Sequence, residues 1–370
     1  MKRSFIFIYI FCGLVFVPFS VSAAKLSFGA WVPYWKKTQA IPEATQYIKQ
    51  IWTVSPFSYE VQGDGTIKDV MKLSESPWPE FIAYAKADKT KIIPTIAWID
   101  GNAIHETLSS STMRKAHVKA IAMLVKEKKY DGIDIDYEGK FAETKPYFSL
   151  FLKELYTEIH GMKKMLSCTI EARTPALSRF TTIPKDLEYA NDYKSINAYC
   201  DEVRIMAYDQ RNVDIKLNKT KGVSEYYMPV ADKDWVKKVL DETIKTINKK
   251  KIVLGVANFG YEYEVAQSEL GNAYDKLQSL TYEEMITLAS TTGSIPKRNS
   301  AGELSFVYKK QVPISTTMPT ITATSTRYVS FSDAIAIQDK VKLAKSYGLK
   351  GVFLFKVDGA SDPKLWTVLK

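Results

Sequence analysis

Short apolar segments alternate with longer amphipathic ones along nearly the whole chain, and no other feature restricts the fold as much. The apolar segments are residues 26–32, 51–57, 91–98, 132–138, 165–172, 203–208, 252–258 and 351–355. Most are rich in Val, Ile and aromatics and are bounded by Gly, Pro or Asp, which marks them as strands. Helical patterns lie between them. In residues 111–129, Val118, Ile121, Leu124 and Val125 recur at helical spacing, with Lys and Arg on the other faces. Residues 78–87, 147–159, 235–247 and 333–347 follow the same pattern, and Pro184 and Asp186 open a further helix before Tyr189. Apolar strands separated by helices form a parallel sheet covered on its faces. Eight repeats predict an α/β chain closed as a (β/α)8 TIM barrel. No glycine-rich loop opens a helix, which argues against a nucleotide-binding doubly wound sheet.

About 90 residues separate the seventh and eighth segments, far more than one crossover helix needs. Within that gap, residues 281–290 read as a helix, and 304–309 and 328–331 as strands. Residues 261–332 are therefore a small α+β insertion after strand seven.

Residues 1–23 read as an export signal: Lys2 and Arg3, an uncharged apolar run from Phe5 to Phe19, then small Val21, Ser22 and Ala23. An uncleaved anchor helix is the alternative. Cleavage before Ala24 is favoured. It leaves residues 24–370 as the barrel domain, outside the membrane, secreted or in the cell envelope, with the formal charge falling from +10 to +8. The positive charges are dispersed and no nucleic-acid motif accompanies them. Cys168 and Cys200 sit in or beside apolar strands. An exported chain can oxidise them, but two buried free thiols are the favoured reading. His105, His117 and His160 are scattered without metal-ligand spacing, so neither metal nor organic cofactor is expected.

The most informative run is Tyr130-Asp131-Gly132-Ile133-Asp134-Ile135-Asp136-Tyr137-Glu138. Side chains alternate faces along a strand. Asp134, Asp136 and Glu138 therefore share the barrel interior, and Ile133, Ile135 and Tyr137 face the helices. Glu138 comes last, at the C-terminal mouth where barrel active sites lie. Asp131 has the opposite parity and a structural role. Three buried carboxylates must share protons or find partners. Asp134 and Asp136 cannot readily both ionise, and their proximity favours a protonated Glu138. A glycosidase needs such an acid beside the leaving oxygen.

This run resembles the D-x-x-D-x-D-x-E signature of glycoside hydrolase family 18, on strand four as in that family. Met206-Ala207-Tyr208-Asp209 is similar to the family's M-x-Y-D at the end of strand six. The resemblance spans nearly the whole chain beyond the signal and is nearest the bacterial envelope and spore-cortex branch. It implies a glycosidase acting on β-linked N-acetylhexosamine glycans, chitin-like or peptidoglycan, by substrate-assisted retention. Glu138 then matches the general acid, Asp136 the residue that holds the N-acetyl group, and Asp134 its proton-sharing partner. Tyr208 matches the hydroxyl that hydrogen-bonds the acetamido oxygen, and Met206 and Asp209 match pocket-lining positions. Two departures concern substrate preference. Residues 94–98 replace the family's S-x-G-G, and Phe355 stands where the last strand often presents a tryptophan. Trp31, Tyr34, Trp35, Tyr59, Trp98 and Tyr261 lie near strand ends and are candidate sugar platforms. A monomer is expected. The rival reading is a non-catalytic sugar-binding protein on the same barrel.

Overall fold

The computed structural model describes residues 26–369 apart from 269–270 and 316–317, so the export segment lies outside the described residues. Eight parallel strands close into a barrel. They are β1 (Ser27–Pro33), β2 (Thr53–Val61), β3 (Thr95–Trp98), β4 (Gly132–Tyr137), β5 (Met165–Glu171), β6 (Glu202–Met206), β7 (Ile252–Ala257) and, after the insertion, β12 (Gly351–Phe355). Closure is made by β1, which pairs with β2 through Gly29↔Thr53 and with β12 through Ser27↔Gly351. The third segment is broken: Lys91–Ile92 pairs with β2, and β3 resumes only after Pro94, which has no N–H to give to a ladder.

Several helices are started by a capping side chain. Asp100 accepts from Ala103 N at 3.0 Å and opens Gly101–Ser109, and Ser110 opens Ser111–Glu127. Val118, Ile121 and Val125 of the second helix are buried against the outward-facing Ile133 and Ile135 of β4, in the main apolar core between barrel and helices. The helix expected from Pro184 is absent; Tyr193–Tyr199 is helical instead, opened by Asp192, which accepts from Lys194 N. Local propensity at Pro184 yields there to a loop running round the barrel mouth.

The insertion is a five-stranded antiparallel sheet with one helix, Tyr282–Thr291. Its longer strands are β8 (Phe259–Ser268), β9 (Gly271–Thr281), β10 (Leu304–Ser315) and β11 (Met318–Phe331). Met285, Phe306, Val329 and Phe331 form its own small core. Glu303, fully buried, ties it to the barrel by accepting from Val230 N and Ala231 N at 2.9 and 2.8 Å. No helix among the described residues is long and apolar enough to cross a membrane.

Cys168 and Cys200 form a disulfide, not the two free thiols favoured from sequence. Cys168 faces outward from β5, and the helix Tyr193–Tyr199 brings Cys200 back beside it with 6.0 Å between Cα atoms. Strand parity gave the face of Cys168 but not the return of the chain. The bridge closes a loop with a sequence separation of 32, which restricts the unfolded chain. Replacing both cysteines by Ala is expected to lower unfolding free energy by about 2–4 kcal/mol in urea titration. Mass analysis of the denatured wild type should show two extra alkylations only after reduction.

Candidate active site

The barrel interior is built from residues of one parity on each strand. At its middle height lie Thr95, Asp134, Thr169 and Arg204, on four adjacent strands. Asp134 is fully buried. It accepts from Thr95 Oγ1 at 2.8 Å and Thr169 Oγ1 at 3.0 Å, and pairs with Arg204 Nη1 at 3.2 Å. Arg204 also donates to Ser55 Oγ at 2.7 Å and to Glu202 Oε1 at 2.9 Å. Lys350 meets the other oxygen of Glu202 at 2.8 Å. Burial opposes the charge on Glu202, but Arg204 and Lys350 hold its carboxyl below the usual range. The Arg204 guanidinium lies 3.7 Å over Phe353. Phe353 fits because Gly29 is its partner across the strands; a Cβ there would meet the ring at 2.2 Å.

Above this layer sits Asp136. Its carboxyl is raised well above the carboxylate range, by burial first and then by Glu138, Asp134 and Glu171, with Lys140 opposing. Its Oδ1 has no hydrogen-bond partner among the described residues. Arg204 compensates Asp134, and Asp136 is the carboxyl left without a cation partner among the described residues. The sequence reading missed Arg204, although the parity that pairs Met206 with Tyr208 also puts residues 204 and 202 inside.

Glu138, half-buried, follows β4 at the mouth. Burial raises its carboxyl most, Glu171 raises it next, Lys140 opposes and Asp209 adds, for a value pushed up to about 7. Glu171, the last residue of β5, is therefore the strongest charge acting on it, rather than the aspartates below. Glu171 accepts from Gly139 N at 3.2 Å and Asn191 Nδ2 at 2.7 Å, and meets Lys140 at 3.6 Å. Lys140 is held in turn by the carbonyl of Tyr137. An acidic residue closing an apolar strand was the available signal for Glu171. Burial, then the carboxylates of Asp136, Asp209, Glu138 and Asp134, raise the Tyr208 phenol, so its hydroxyl stays a donor.

The aromatic candidates separate. Phe355 lies nearly parallel to Tyr208, centroids 5.6 Å apart, and reaches Phe57 at 6.4 Å. Phe57 meets Trp35 at 5.8 Å, and Trp35 is 46% exposed. These four rings make a track from the barrel rim to the acid row. Tyr34 packs edge-on against Trp35, and Tyr261 donates to Asp209. Met206 is partly buried beneath the mouth. The other three are not platforms. Trp31 is buried in the barrel interior, donating to Thr95 at 3.1 Å. Trp98 packs outward on His117 and Tyr137, and Tyr59 meets the Tyr130 hydroxyl at 2.8 Å. Both are 2% exposed, which leaves no face for a sugar. Asp131 accepts from Ile92 N at 2.9 Å at the start of β4, a structural role.

The model of the glycosyl hydrolases family 18 matches residues 30–360. A curated relative, the uncharacterized glycosylase YvbX of Bacillus subtilis, is 22% identical over 90% of this chain and 88% of its own. The spore cortex-lytic enzyme SleL of Bacillus cereus superposes with a TM-score of 0.70 at 19% identity, over 93% of this chain and 73% of that one. A plant class V chitinase mutant from Cycas revoluta, solved with (GlcNAc)3, gives a TM-score of 0.70 at 16% identity, over 93% and 98%.

Two predictions follow from the electrostatics. Glu171→Gln removes a charge that raises Glu138, so the alkaline limb of kcat/KM should move to lower pH; Lys140→Gln should move it higher. Shifts of the opposite sign would remove Glu171 as the tuning charge. Arg204→Met leaves the Asp134 carboxylate uncompensated, which should cost about 3–5 kcal/mol of stability in denaturant titration.

Proposed function

The chain belongs to glycosyl hydrolase family 18 and is a glycosidase, and we propose that it is an exported enzyme that cleaves β-linked N-acetylhexosamine glycans of envelope or chitin type with retention of configuration. The observation that carries this reading is the vertical order of the carboxyls: Asp134 ion-paired, Asp136 buried, raised well above the usual range and without a partner for Oδ1 among the described residues, and Glu138 pushed up to about 7. A carboxyl titrating near neutral pH is protonated often enough to act as an acid and ionised often enough to act as a base.

In this mechanism Glu138 gives its proton to the glycosidic oxygen. Asp136 Oδ1 accepts the N–H of the substrate's acetamido group, and Tyr208 donates to the acetamido oxygen. That oxygen attacks the anomeric carbon as the leaving sugar departs. The ionised Glu138 then takes a proton from water, which opens the cyclised intermediate from the same face, and the product keeps the β configuration. No enzyme carboxylate attacks the sugar, the known exception to the two-carboxylate scheme. Phe355 and Tyr208 form the floor under the acetamido-bearing ring, continued outward by Phe57 and Trp35. The Cys168–Cys200 bridge supports an oxidising destination outside the cytoplasm. The relatives whose names mention chitin and spore cortex support the substrate class.

Glu138→Gln keeps size and polarity but removes the acid, and turnover should fall at least ~100-fold with the fold intact by circular dichroism. The wild type should release β-anomeric product from N-acetylated oligosaccharides, with inhibition by a thiazoline mimic of the cyclised intermediate. Rapid cleavage of glucose-only analogues would reject the substrate-assisted route, and equal turnover by Glu138→Gln would reject the acid assignment.

A further inference from the structure

Beyond the acid row, on the side of the mouth away from Trp35, Phe57 and Phe355, a cavity opens. Its volume is about 200 Å3, and its walls include Lys140, Arg173, Arg179, Tyr189 and Asn191. It adjoins the catalytic acid, because Glu171, which raises Glu138 most among the charges, is also in its wall.

Arg173 is the best-placed group in it. The guanidinium is clamped between the rings of Tyr189 and Tyr193, at 3.9 and 4.0 Å. Nη2 donates to the carbonyl of Asn191 at 2.6 Å. These contacts fix the plane of the fork but supply no negative charge, and among the described residues Arg173 makes no ion pair. A stacked guanidinium keeps its edge free for a planar anion. Arg179, on the same loop after β5, is exposed and likewise makes no ion pair among the described residues. Glu171 does not neutralise the cavity. Its two oxygens are engaged by Gly139 N, Asn191 Nδ2 and Lys140. Three cations against one engaged carboxylate leave the wall positive.

A neutral N-acetylglucosamine polymer offers such a wall hydroxyl and carbonyl oxygens but no charge. The aromatic track lies on the opposite side of the acid, so a glycan laid along the track and across Glu138 would bring its leaving portion toward the cavity. We infer that Arg173 and Arg179 form an anion subsite that binds a carboxylate carried by the leaving portion of the glycan, so that acidic glycan is preferred over chitin. This rests on the hydrolase reading above. A cavity of this size admits a carboxylate substituent of the sugar. In peptidoglycan that carboxylate has two sources, the lactyl ether of N-acetylmuramic acid and the stem peptide.

The test compares the wild type, Arg173→Gln and Arg179→Gln on three substrates: chitin oligosaccharides, glycan strands stripped of peptide, and strands carrying their stems. In each variant the ratio of kcat/KM for acidic strands to that for chitin oligosaccharides should fall by about 10-fold, mainly through KM, as expected for one lost charge-assisted pair. Added salt should lower the same ratio in the wild type. Loss confined to stripped strands assigns the lactyl carboxylate, and loss confined to stem-bearing strands assigns the peptide. An equal fall on chitin and acidic strands, the mark of a merely structural Arg173, overturns the inference, as does no change in either variant. Should the wild type cleave none of the three, the hydrolase reading fails by itself. Calorimetric titration of stripped strands into wild type and Arg179→Gln then decides the subsite, and equal affinities overturn it.

Discussion

The ion pair between Arg204 and Asp134 is the constraint on which the rest of the interior depends. A carboxylate buried in a closed barrel is costly unless a charge and hydrogen bonds meet it. Asp134 has a guanidinium and two threonine hydroxyls, drawn from β3, β5 and β6. Arg204 needs its own compensation and finds it in Glu202, which Lys350 in turn balances. The lower barrel is thus a column of alternating charge, Lys350 to Glu202 to Arg204 to Asp134. It is closed below and ends above in a carboxyl with no cation of its own.

That ending sets the chemistry of the mouth. With Asp134 ion-paired to Arg204, burial and the neighbouring carboxylates disfavour a second charge at Asp136. Burial raises Glu138 most, and the main charges acting on it are lateral, Glu171 raising it and Lys140 lowering it. The two controls come from different parts of the chain: the column from strand interiors, the lateral pair from the ends of β4 and β5. A barrel suits this division, because its strands hold depth while its loops hold breadth.

Much of the barrel was legible from periodicity. All eight strands fall where the alternation places them, the acid row has the parity read from residues 134, 136 and 138, and the insertion lies between β7 and β12. What stayed hidden was always a partner across space. Parity puts Arg204 inside but does not say that Asp134 meets it. It puts Cys168 outside but does not say that Cys200 returns to it. Trp31, Trp98 and Tyr59 stand near strand ends, and only the tertiary packing shows that helices or the opposite barrel wall cover them. The helix start at Pro184 had sound local chemistry and gave way to a loop held by contacts such as the Tyr189–Arg173–Tyr193 stack.

The disulfide has a consequence for how such a chain can change over generations. Cys168 and Cys200 pin the two ends of one excursion from the barrel, and that excursion carries Glu171, Arg173, Arg179 and Asn191. Mutations inside it alter the rim while both ends stay anchored to the scaffold. The segment still reaches the charge column at its first turn out of the bridge, because Thr169 donates to Asp134. One bridge therefore holds to the scaffold a segment that begins in the interior, at Thr169 and Glu171, and ends as a rim loop open to change.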